Sequence, residues 1–112
     1  INGGEGNWNF RGRGFLFGEI GLLLYWVNKF MPTILYLYGY RFFFYTNENN
    51  EPMHIHVQKA EMECKYWLDS ENFEIKEVFS YNMKVKDKRM VKKIIFEHFD
   101  YIAEQWQKIH KR

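Results

Sequence analysis

The sequence predicts an α+β domain: a curved antiparallel sheet of four to five strands, with one long C-terminal helix packed on one face. Three observations carry this expectation. Apolar and polar residues alternate with a period of two through the middle of the chain, the pattern of half-buried strands. Turn-forming residues punctuate those runs. After residue 87 the period lengthens to three and four, the pattern of an amphipathic helix.

Taken in order, 33–38 is β-branched and aromatic and ends at Gly39, which reads as a strand. A second strand is expected over 41–46, joined to the first by a tight hairpin at Gly39-Tyr40. Phe42 and Phe44 share one of its faces, and Arg41, Phe43 and Tyr45 the other. Aromatics on both faces imply a strand covered on two sides. Residues 47–52, rich in Asn and ending in Pro52, form a loop. In 53–58, Met53, Ile55 and Val57 alternate with His54, His56 and Gln58. The apolar set is expected to face the helix and the histidines to face solvent. A turn near 59–61 leads to a fourth strand over 62–68, and a turn over 69–72 leads to a fifth over 73–79. Val91, Ile95, Phe99, Ile102, Trp106 and Ile109 then form one helical stripe, with Asp87 as a candidate N-cap.

The 112 residues suffice for one compact domain. The 11 Phe, 8 Tyr and 4 Trp allow a core without disulfides, which the single Cys64 excludes within the chain. Seven of the eight glycines fall before residue 22, so residues 1–30 are expected to be a leader or extension, and 31–112 the single α+β domain. The apolar run over 15–27, interrupted by Glu19, is too short to span a membrane. No membrane partner is expected, and the localisation expected is cytoplasmic.

Two segments carry chemical options. His54 and His56 are one residue apart, so an extended strand places both imidazoles on one face, suited to acid–base catalysis near neutral pH. Arg41 and Lys65 on neighbouring strands are the candidate phosphate holders beside them. Two imidazoles on one face can also share a metal ion if Glu48 or Glu61 supplies a third ligand. The bland alternative is a pair of polar residues bonded to their neighbours. No metal ligand set is assigned on these grounds and no cofactor is expected. The second segment is the cluster Lys84, Lys86, Lys88, Arg89, Lys92 and Lys93, opposed only by Asp87. Cations at a helix start oppose the macrodipole, so stability does not explain them. A phosphate backbone would be attracted there, although a solvated lysine face explains the run equally well and the net charge of +2 is small.

Several blocks also resemble the bacterial domain-of-unknown-function family 4160. They are Met31-Pro32-Thr33, Gly39 through Glu48, Pro52 through Val57 with its His-x-His pair, Cys64 through Leu68, and a final helix ending in Trp106. Met53 follows Pro52 where the family usually has a shorter loop, and Ala60-Glu61 stands at a turn that commonly bears glycine. The family has no established activity. The resemblance implies a small partner protein encoded nearby and a toxin–antitoxin-like pair. The histidine pair and the basic cluster add the expectation that it acts on or near nucleic acid, RNA or DNA, as a ribonuclease-type toxin with His54 and His56 as acid and base. The other function expected is a non-enzymatic interaction or repressor-complex module, with homo-oligomer formation through the surplus aromatics.

Overall fold

The computed structural model describes residues 13–48 and 50–110, with side chains from residue 21 onward. Residues 1–12 of the expected leader, Asn49 in the loop, and Lys111 and Arg112 lie outside the described residues. The chain divides into two units, 1–31 and 32–112. The first contains helix α1 (Arg13–Phe30), where Trp26 and Phe30 stack at 4.9 Å. No helix among the described residues is long and apolar enough to cross a membrane.

The second unit is an antiparallel meander followed by helices. Strands β1 (Thr33–Leu37), β2 (Tyr40–Phe43), β3 (His54–Lys59), β4 (Met62–Asp69) and β5 (Glu74–Tyr81) lie side by side in sequence order. The first hairpin turns on Tyr38-Gly39, one residue earlier than the sequence suggested. Both turn residues have positive φ, +53° and +82°, which matches the twist of a two-residue hairpin. Gly39 takes its positive φ without steric cost, whereas a Cβ there would be strained and would displace the Lys59 side chain, whose Cε lies 2.9 Å away. Strand β2 ends at Phe43, short of the expected Thr46, although Phe44 N–H still reaches Pro32 O at 3.4 Å. At the β4–β5 turn the Asp69 carboxylate accepts the backbone N–H groups of Glu71 and Asn72.

The expected single long helix is two helices, α2 (Val85–Glu97) and α3 (Phe99–Ile109). The break at His98 has no Gly or Pro to announce it. His98 N–H bonds both Ile94 O and Ile95 O, tightening the last turn, and its ring Nδ1 lies 3.0 Å from Ile94 O. The chain bends there, yet Val91, Ile95, Phe99, Ile102 and Trp106 remain on one buried surface. That is why a stripe with unbroken three-and-four spacing concealed the break. Asp87 is not the N-cap. It lies at the third helical position, where its carboxylate accepts the Lys84 N–H at 3.1 Å and the Tyr40 hydroxyl at 3.1 Å.

The core joins these helices to one sheet face: Phe42, Ile55, Val57, Cys64, Tyr66 and Leu68 meet Val91, Ile94, Ile95 and Ile102. Each fully buried aliphatic or Phe side chain contributes about 1.5–3 kcal/mol, so this face dominates stability. Burial drives the Cys64 thiol up to about 12, making it an inert filler. The sheet is not strongly curled, against the curved sheet expected. Two shorter helices, α2 and α3, cover the core face in place of one long one.

Candidate functional site

The opposite sheet face carries the histidines. Register places Phe43 and Lys65 on either side of His56, and Trp67 beside His54. Both imidazoles do project from one face, as the period of two requires. They do not face solvent: His54 is 0 % exposed and His56 5 %. The physical reason lies in the loop between β2 and β3. It folds back over the sheet and delivers Glu48, Glu51 and Pro52 onto the rings, while Phe43, Tyr45, Trp67 and Trp106 wall the sides. Alternation along β3 therefore separates two buried faces instead of an inside from an outside.

Glu48 organises the pair. Its Oε1 lies 2.7 Å from His54 Nε2 and 3.0 Å from His56 Nε2. His54 Nδ1 lies 2.8 Å from the Pro52 carbonyl, which can only accept, so Nδ1 carries a proton. Burial alone would raise the Glu48 carboxyl, but the hydrogen bonds and positive pull of His54 and His56 outweigh it and hold it below the usual carboxylate value. Burial holds His56 below its usual value despite Glu48. Glu48 is thus ionised and His56 a neutral donor through Nε2. His56 Nδ1 is then a buried acceptor with no hydrogen-bond partner among the described residues.

The sequence-predicted phosphate holders are near but engaged. Lys65 Nζ bonds Glu51 Oε1 at 2.8 Å and lies 4.8 Å from the Trp67 ring centroid. Arg41 donates to Thr33 Oγ1 at 2.8 Å and lies over Phe43 at 4.3 Å. Between the histidines, where a phosphate would sit, stands the Glu48 carboxylate. A cleft of about 650 Å³ borders this cluster beyond Trp67 and Trp106. Its charged lining is Glu51, Asp69 and Glu74 against Lys76, a field that disfavours phosphate.

The basic cluster is elsewhere, on α2. Lys86, Arg89 and Lys93 share the outward helical face, opposite buried Val91, Ile94 and Ile95, and Lys92 flanks them. Lys84 precedes the helix as its N-cap, and Lys88 is drawn aside to Glu77 at 3.5 Å. Of the candidate sites, then, the histidines come together with each other and with Lys65, while the α2 cations form a separate surface.

Two participants were not legible beforehand. Glu51, through Lys65, has no pattern that marks it. His110 is 6 % exposed, stacks on Trp106 at 3.7 Å and lies 3.0 Å through Nε2 from Tyr45 O, anchoring the end of α3 to the strand exit. A lone histidine after a helix offers no signal for that contact.

No curated protein and no solved structure matches this chain. The description of one family, domain of unknown function DUF4160, matches residues 39–107, a span containing β2 to β5, the Glu48–His54–His56 cluster and nearly all of both C-terminal helices. The chain belongs to the DUF4160 family.

Proposed function

We propose that the 32–112 unit is a nucleic-acid-contacting module that works through the outer face of α2. The observation that carries this reading is the exposure of Lys86, Arg89, Lys92 and Lys93, with no ion pair to any of them among the described residues. Lys84 and Lys86 stand at the start of α2, where a cation costs stability by tenths of a kcal/mol and a polyanion offsets that cost; Arg89, Lys92 and Lys93 extend the same positive surface along the helix. The charge is polarised rather than large: residues 84–93 hold six cations against Asp87, whereas residues 61–77 hold six carboxylates against Lys65 and Lys76. A small net charge is thereby compatible with a local positive field.

The module reading is favoured over a ribonuclease built on His54 and His56. Their rings are buried and their facing nitrogens meet a carboxylate. A general acid or base must come within hydrogen-bond reach of its substrate. The family resemblance adds a small neighbouring protein as partner, in a toxin–antitoxin-like pair. Photo-crosslinking of the purified chain to labelled single-stranded RNA, followed by peptide mapping, tests the contact surface. Crosslinks are expected to map to 84–93. Crosslinks confined to the loop over 46–52, or none at all, would reject the α2 surface.

A further inference from the structure

We propose that Glu48, His54 and His56 form a binding site for a divalent first-row transition metal of the zinc type. The inference is independent of the nucleic-acid reading, because it concerns the other side of the sheet.

One ligand atom from each residue lies within 4.8 Å of the others. Two imidazoles and one carboxylate are the donor set of borderline divalent ions; all-oxygen sets suit magnesium and calcium. The proton inventory points the same way. Pro52 O requires a proton on His54 Nδ1, so Nε2 can meet the ionised Glu48 Oε1 at 2.7 Å only with a second ring proton or a metal ion between them. That contact needs a positive centre, and the same oxygen also faces His56 Nε2 at 3.0 Å. A metal ion supplies one positive centre for all three atoms. The Pro52 carbonyl is the kind of outer partner that orients a ligating histidine, since it fixes the tautomer that turns Nε2 toward the ion. The rings are held on their other sides by Phe43, Tyr45, Trp67 and Trp106, so the donors are preorganised.

Tetrahedral ligands at zinc distances stand about 3.3 Å apart, so the trio must open by a few tenths of an ångström. Glu48 is the member that can move, because it belongs to the loop while both histidines belong to a strand hydrogen-bonded on both sides. The bound ion would tie the loop over 46–52 to the centre of the sheet.

The test uses the full chain after treatment with a chelator. Calorimetric titration with Zn²⁺ is expected to show one site per chain. Co²⁺ is expected to develop the visible absorption of a low-coordinate nitrogen–oxygen site, and Mg²⁺ no heat. Glu48→Gln keeps the shape of the side chain and is expected to weaken Zn²⁺ binding at least tenfold. His56→Gln is the second variant, and circular dichroism of both metal-free variants establishes that they are folded. Removing His54 is the least informative choice, since its ring is wholly buried. Absence of a Zn²⁺ heat from folded wild-type protein would overturn the proposal, with a proton alone joining the three side chains. So would Zn²⁺ binding that persists at full strength in both folded variants, which would place the ion elsewhere.

Discussion

Neutralising the outer face of α2 gives the sharpest check on the nucleic-acid reading. Four exposed side chains, Lys86, Arg89, Lys92 and Lys93, are available to phosphates. For single-stranded nucleic acid, each contact adds about −0.7 to the slope of log affinity against log salt, so four contacts give roughly −2.8. Raising salt fourfold, from about 50 to 200 mM, then weakens binding roughly 50-fold. The double change Arg89→Gln with Lys93→Gln removes two contacts, leaving a slope of about −1.4 and roughly a sevenfold loss over the same range. Both residues are exposed and lie beyond the first turn of α2, so exchanging them for Gln changes stability little. The assay is fluorescence anisotropy of a labelled RNA oligonucleotide across a salt series, with the urea midpoint as the folding control. A slope that stays at its wild-type value in the folded double variant would refute the argument, because the counterions would be released from some other surface.

Other consequences are separable. Ala60 holds φ +53° at the β3–β4 turn, so Ala60→Gly relieves about 1–2 kcal/mol of left-handed strain, partly offset by glycine entropy; the net gain of about 0.5–1 kcal/mol should raise the thermal midpoint by about 4 °C. His110→Ala removes the stacking on Trp106 and the bond to Tyr45 O and should cost about 1–3 kcal/mol in urea unfolding. Metal-free protein should lose stability on acidification in two windows. His56 has a folded value below its usual 6.5 and Glu48 one below its usual 4.5. A lowered folded value means that the unfolded chain binds more protons. The contribution is therefore complete above the usual value and lost as pH falls through the folded one. Urea midpoints measured from pH 8 downward should decline first below 6.5, and His56→Gln should flatten that upper part.

Much of the fold was visible in one dimension. The period of two through 53–58 and 62–68 depends only on which way successive Cβ atoms point, so β3, β4 and the shared face of His54 and His56 could be read directly. Likewise, the turn at 69–72 is set by local Asp and Asn chemistry that acts within three residues. The break at His98 was hidden because the apolar spacing continues through it, and a bifurcated hydrogen bond leaves no compositional mark. Family membership, too, was legible from the order of short blocks, although the match begins at residue 39 rather than 31.

What the amino-acid order determined by itself was the identity and pairing of the chemical groups: two imidazoles on one strand face, a carboxylate in the loop before them, and six cations within ten residues. Tertiary structure alone decided their surroundings. Folding of the 46–52 loop across the sheet turned an expected solvent face into a second interior and set Glu48 between the rings. It left the α2 lysines outside. Periodicity records the direction of a side chain relative to its own backbone, whereas exposure depends on what distant segments come to lie against it.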